Sequence, residues 1–210
     1  EALAARDDVE SIYLNERLSL GNYEAAEITG GHFVHDQYGA KGAGVTVAVI
    51  DSGIDANHPD LSFGTKTIQN VKLVGDLGLA GVAATLENQP NTDTSSGHGT
   101  HVAGTVAGTG AASANDPRRP AYYDGIAPEA NLIGLGTGEG LNIFFALQGF
   151  DWVLANQQRY GIDIVTNSWG SSNSVYDPNN PINRASYEAY RRGMVVTFAA
   201  GTDGPDADTL

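Results

Sequence analysis

The sequence predicts an α/β fold, a doubly wound parallel sheet with helices on both faces. Short β-type apolar runs recur at 45–50, 71–74, 132–135, 162–166 and 194–200. Runs that are apolar throughout mark strands buried on both faces, which occur mainly in parallel sheets. Helical patterns lie between them. Ile143, Ala146, Leu147, Phe150, Val153 and Leu154 follow the i, i+3, i+4, i+7 spacing, and Val102, Ala103, Val106 and Ala107 repeat it over a shorter stretch. A third helix is expected over 183–192. Strands alternating with helices require crossovers that cover both faces of one sheet.

In chain order, residues 1–30 are polar and charged, and Val9, Ile12 and Leu14 suggest a lone edge strand. The first buried strand ends at Asp51. Loops rich in Gly, Ser, Asn, Asp and Pro fall at 52–68, 84–99, 108–128, 168–182 and 201–208. Neither an internal repeat nor an inter-domain linker is visible. The 210 residues suffice for one α/β domain with a sizeable core.

Composition excludes several function classes. A net charge of −14 disfavours nucleic acid and anionic membranes as partners. The chain has no cysteine, which removes disulfides, thiolate nucleophiles and thiolate zinc sites. No run of about 18 apolar residues is present, so no membrane-spanning helix is expected.

In an open α/β sheet, ligands sit beyond the carboxyl ends of the strands. The residues there are Asp51-Ser-Gly, Gly136-Thr-Gly-Glu-Gly140, Asn167-Ser-Trp-Gly170 and Gly201-Thr-Asp-Gly204. His98 stands at the expected start of a helix, between Gly97 and Gly99, which permit close approach of another backbone. Taken alone, Asp51 reads as a turn or cap residue and His98 as a structural histidine. His98 and His101 lie on neighbouring helical positions, but no third ligand is comparably placed, so no metal site is expected.

Together these stretches resemble the subtilisin family. Val47-Ala-Val-Ile-Asp51-Ser-Gly-Ile-Asp-Ala-Asn-His-Pro-Asp-Leu61 is similar to its aspartate motif, and Gly97-His-Gly-Thr-His-Val-Ala-Gly104 to its histidine motif. Gly125-Ile-Ala-Pro-Glu-Ala-Asn-Leu132 and Thr166-Asn-Ser-Trp-Gly170 resemble two further landmarks, in the same order. The likeness runs from about residue 40 to the end.

The resemblance implies a subtilisin-like sheet and a serine endopeptidase in which Asp51 and His98 are two members of an Asp-His-Ser triad. No serine here stands in the family's nucleophile motif, so the chain is expected to be truncated at its C-terminus, with that serine beyond Leu210. The rival reading is a non-catalytic subtilase-like binding or scaffold domain. A metal-dependent hydrolase using Asp51, His98 and His101 is a distant third. Gly136, Thr137 and Gly138 on one side, and Ser168, Trp169 and Gly170 on the other, match the backbone edges that bind an extended peptide. For Trp169 two readings stand, lining of a specificity pocket and packing in the core.

Thr202 departs from the pattern. It occupies a position where the family carries an oxyanion-donating Asn, and it reads as a weaker donor or as a simple turn residue. Residues 2–15 resemble the tail of an inhibitory propeptide. That divides the chain into a propeptide tail and lead-in over 1–30 and a partial catalytic domain over 31–210. The expected partners are protein or peptide substrates and the chain's own propeptide, and the expected location is secreted or extracellular. Calcium is common in the family and Asp60 matches one ligand position. The loop that would supply the other ligands is replaced by an insertion at 108–124, so no cofactor is assigned.

Overall fold

The structure, a computed structural model, describes residues 22–75, 84–138, 142–170 and 177–201. The expected edge strand near Val9–Leu14 lies outside these residues. Six strands form one sheet: β1 (Thr46–Asp51), β2 (Thr67–Leu73), β3 (Thr85–Leu86), β4 (Asn131–Gly136), β5 (Ile162–Asn167) and β6 (Val195–Phe198). Their order is β3-β2-β4-β1-β5-β6. All pairings are parallel except β2 with β3. The sheet is therefore parallel as expected, with one short antiparallel edge that the sequence pattern did not show. The chain moves from β1 out to β2, returns to β4 beside β1, and then crosses to β5 on the other side. That reversal puts a crevice at the carboxyl end of β1, where Asp51 lies.

Five helices are described: α1 (Asn22–Ile28), α2 (Gly31–Tyr38), α3 (His98–Ala107), α4 (Ile143–Tyr160) and α5 (Pro181–Arg191). Strand β1 shows how the two faces are filled. Ala48 and Ile50 point into a cluster with Val71, Ile133, Phe150 and Val165, under α4 and α5. Val47 and Val49 point the opposite way, into a cluster with Ile54, Leu61, Ala103 and Ala107, under α3. Full burial along β1 on both faces explains why its sequence is apolar without alternation.

Helix α4 runs beyond the expected 143–154 to Tyr160 and stops at Gly161, which adopts φ 59°. Glycine accepts that left-handed conformation without the steric cost of a Cβ. Asn142 caps its start by accepting from the Phe145 amide. Helix α5 begins at Pro181 rather than 183, because Asn180 accepts from the Ile182 amide and Pro at the first position needs no donor.

Strand β2 starts four residues before its apolar run. Thr67, Gln69 and Asn70 are buried there. Each is hydrogen-bonded: the Thr67 hydroxyl donates to Leu61 O, Gln69 Nε2 to the Tyr160 hydroxyl, and Asn70 Nδ2 to Ile54 O. Buried polar groups are tolerated when satisfied in this way. The strand consequently carries no hydrophobic signal over its first half.

Candidate active site

Asp51 ends β1 at the centre of the sheet, and its side chain is 1% exposed. Its Oδ1 accepts from the Ser52 amide at 2.7 Å and from His98 Nδ1 at 2.7 Å. A carboxylate only accepts, so His98 carries its proton on Nδ1 and leaves Nε2 on the far edge of the ring. The His98 side chain is 52% exposed, in contrast to its buried partner. The pair is thus an imidazole held in one tautomer by a buried carboxylate, with its second nitrogen open to a reacting group.

Helix α3 begins at His98, and close contacts fix that start against β1. Gly97 adopts φ 75° immediately before it. The Gly99 amide donates to Ser52 Oγ at 2.8 Å, and the Asp55 amide donates to Thr100 Oγ1 at 2.9 Å. A Cβ on Gly99 would run into the backbone of Gly53 and the Cβ of Asp51. The glycine after His98 is what allows α3 to sit directly on the turn that follows Asp51.

Asp93 was not singled out by the sequence reading, and it organises this turn. Its Oδ1 accepts from the Gly97 amide, and its Oδ2 from both the amide and the hydroxyl of Thr100. An Asp ahead of a helix start within a Ser/Gly-rich loop is a capping signal that could have revealed it. Burial pushes the Asp93 carboxyl up. Hydrogen bonds from the Thr100 hydroxyl, the Gly97 and Thr100 amides and the Ser52 hydroxyl outweigh that effect and hold it below the usual carboxylate value. A depressed carboxylate contributes stability that is fully present above its unfolded value and is lost as pH falls through its folded value. Asp93→Asn should therefore cost about 1–2 kcal/mol at neutral pH, the size of a helix-cap loss. The difference from wild type should shrink below about pH 4. Urea unfolding at pH 7 and pH 3 measures both. A gap that stays constant with pH would remove the charged role of Asp93.

The proposed peptide-binding edges lie on either side of Asp51. Gly136 pairs with Asp51 in the β1–β4 ladder. The Thr137 amide donates to Asp51 O and the Gly138 amide to Ser52 O, at 2.9 and 3.0 Å. Gly138 has φ 68°. On the other side, Ser168 shares a hollow of about 480 Å³ with His98, His101, Thr166 and Thr197. Trp169 packs on the core, donates from Nε1 to Ile50 O at 2.7 Å, and meets Phe198 edge-on at 5.5 Å. Gly170 is exposed. Past β6, the Ala199 amide donates to Asn167 O and Gly201 takes φ 85°. Thr202 itself lies outside the described residues.

Among the described residues, no group of three or more His, Cys, Asp or Glu is placed to hold a metal ion. Asp60 illustrates why its surroundings do not fit calcium, which takes about 6–8 oxygen ligands. One of its oxygens accepts from the Ala112 amide of the insertion, and among the described residues it belongs to no group of three or more His, Asp or Glu placed to hold a metal ion. Also among the described residues, no helix is long and apolar enough to cross a membrane.

Comparison with known proteins agrees with this geometry. A family model described as "Subtilase family" matches residues 42–210. Serine protease AprX of Bacillus subtilis (strain 168) is 33% identical over 99% of this chain and 44% of its own length. Subtilisin Savinase of Lederbergia lenta is 31% identical over 79% of this chain and 51% of its own. This chain thus spans about half the length of these curated relatives. Among solved structures, fervidolysin from Fervidobacterium pennivorans superposes with a TM-score of 0.54 at 25% identity, covering 81% of this chain and 23% of that one. The CspB protease of Clostridium perfringens has the same fold, with a TM-score of 0.61 at 16% identity over 85% of this chain and 40% of that one.

Proposed function

The chain belongs to the subtilase family, and we propose that it supplies the aspartate and histidine of a serine endopeptidase that cleaves proteins or peptides. The observation that supports this reading is the 2.7 Å bond between buried Asp51 and half-exposed His98. A binding-only domain has no use for an imidazole held in one tautomer by a buried carboxylate beside a hollow that His98 lines.

In the proposed reaction, His98 Nε2 takes the proton of a serine hydroxyl as that oxygen attacks the peptide carbonyl. The imidazolium that forms is stabilised by Asp51 and passes the proton to the leaving amine, which departs as the acyl-enzyme forms. Water, deprotonated by the same nitrogen, then releases the acid. The substrate lies extended between 136–138 and 168–170. Among the described residues no serine hydroxyl is hydrogen-bonded to the His98 ring, and Ser52 Oγ is already engaged by the Gly99 amide. No serine of these 210 residues stands in the family's nucleophile motif, so the proposed reaction takes its nucleophile from a serine that this sequence does not contain. Residues 1–30 are assigned to a propeptide tail and lead-in, 31–210 to the catalytic domain, and the protein to the extracellular space.

A fluorophosphonate probe tests the reading. The 210-residue chain should remain unlabelled, and a longer form carrying the family's serine motif should label stoichiometrically at that serine. Labelling of the short chain would place the nucleophile among its own residues. Absence of labelling in both would remove the catalytic reading.

Thr202 is proposed as a weak oxyanion donor, because it stands in the sequence where the resemblance places the family's oxyanion-donating Asn. Thr202→Asn in the longer form should raise kcat by up to about 10²-fold with little change in KM, because the donor acts only in the transition state. An unchanged kcat would assign the oxyanion hole to other groups.

A further inference from the structure

The insertion at 108–124 is cross-linked within itself. Asp116 receives both Nε and Nη2 of Arg118, and the Arg118 guanidinium lies 3.5 Å from the centre of the Tyr122 ring. These hydrogen bonds from Arg118 hold the Asp116 carboxyl down, to about 2. Arg119 pairs with Asp124 at 2.7 Å, and the Tyr123 amide donates to Ser113 Oγ. The Ala112 amide ties the loop to Asp60. A segment organised in this way presents a preformed surface rather than an adaptable one.

That surface forms one wall of a trough. A hollow of about 560 Å³ lies between the insertion and His58 and Asp60. A second, of about 290 Å³, continues along Leu61, Gly97, Thr100 and His101. His58, Asp60 and Tyr123 line both. The trough therefore runs from the insertion to the first turn of α3 and ends one residue from His98.

Its chemistry is asymmetric. Asp60 is only 9% exposed, and among the described residues only its Oδ1 receives a hydrogen bond. His58 Nδ1 accepts from the Asp60 amide, so the neutral ring carries its proton on Nε2 and adds no charge. Among the described residues Asp116 is the only other acid in the lining, and Arg118 neutralises it. Among the described residues no Lys or Arg lines either hollow, and Arg118, which donates to the Tyr123 hydroxyl, is paired with Asp116. One unneutralised, mostly buried carboxylate therefore faces a space walled by Leu61, small alanines and the half-exposed Tyr123 ring.

We propose that this trough is a substrate subsite for a lysine or arginine side chain remote from the scissile bond. The inference rests on the peptidase reading above. The aliphatic stem lies along Leu61 and Tyr123, and the cationic head meets the free oxygen of Asp60. A metal ion is the poorer occupant, because one carboxylate oxygen does not supply its ligand shell. The residues assigned to the peptide-binding edges at 136–138 and 168–170 are absent from the lining. The subsite therefore reads a side chain beyond those edges.

The test uses the longer, labelled form and quenched peptides in which one lysine is walked through four positions on each side of the cleaved bond. At one outer position, lysine should raise kcat/KM about tenfold over alanine, mainly through KM. Asp60→Asn retains an oxygen for the Ala112 amide and should bring that ratio close to one, and Tyr123→Ala should lower it. A ratio near one at every position in the wild type, or a preference that survives Asp60→Asn, would overturn the subsite. So would a preference abolished by calcium together with a calcium-dependent rise in Tm, since that would make Asp60 a metal ligand. If no peptide is cleaved and no probe is bound, the peptidase reading fails and takes the subsite with it. Cleavage without lysine preference removes the subsite alone.

Discussion

Asp51→Asn in the longer, active form should lower kcat by about 10⁴-fold, with KM nearly unchanged. Loss of the triad aspartate costs about that much in other Asp-His-Ser enzymes, subtilisins among them. The geometry supplies the reason. Asp51 Oδ1 is the acceptor for both His98 Nδ1 and the Ser52 amide. An amide in its place can satisfy both donors only through its oxygen, in one orientation. The other orientation turns an N–H toward the ring and favours the tautomer with its proton on Nε2, which cannot act as base. Because Asp51 is buried, the substitution also removes the charge that stabilises the imidazolium. Steady-state kinetics on one peptide, together with a probe-labelling rate, would check the result. A kcat within tenfold of wild type would mean that Asp51 is a turn residue and that His98 is positioned by other contacts.

The fold was legible in the sequence for a physical reason, whereas the dyad was legible only through the resemblance of its motifs to the subtilisin family. A strand buried on both faces is usually apolar throughout, as Val47–Ile50 is ahead of Asp51. The start of α3 was legible from the glycines around His98, because a close approach of two backbones tolerates little else. What was not legible follows the opposite logic. The first half of β2 is buried but polar, with each side chain matched to a partner distant in sequence, such as Gln69 with Tyr160 and Asn70 with Ile54. Such matches leave no periodic trace. Among their described side chains, helices α1 and α2 expose Ile28, Phe33 and Tyr38 and bury only Ala26 and His35, and show no apolar stripe. The trough beside α3 was equally hidden, since it depends on an insertion whose order comes from contacts such as Asp116 with Arg118 and Tyr123 with Ser113.

Gly99→Ala should be a strongly damaging single methyl addition at this site. Gly99 sits where α3 crosses the turn after Asp51, and a Cβ there meets Gly53 N, Gly53 O and Asp51 Cβ. The first two are backbone atoms of a residue itself held at φ 139°, and a Cβ on Gly53 would in turn run into Thr92 and Asp93. Neither side of the contact is the flexible end of a side chain, so the helix start must move away. Overpacking of this kind costs about 1–3 kcal/mol and occasionally more. The same movement stretches the bond from the Gly99 amide to Ser52 Oγ and the bond from His98 to Asp51. A displacement of about 1 Å in a catalytic constellation can cost about 10²-fold in rate. The variant should therefore show a lowered Tm and, in the molecules that remain folded, a labelling rate reduced by about two orders of magnitude. Gly104→Ala, on the same helix where an added Cβ meets nothing within 4 Å, is the control that should retain both stability and labelling. If Gly99→Ala labels as fast as Gly104→Ala, the crossing of α3 over Asp51 is not what sets the position of His98.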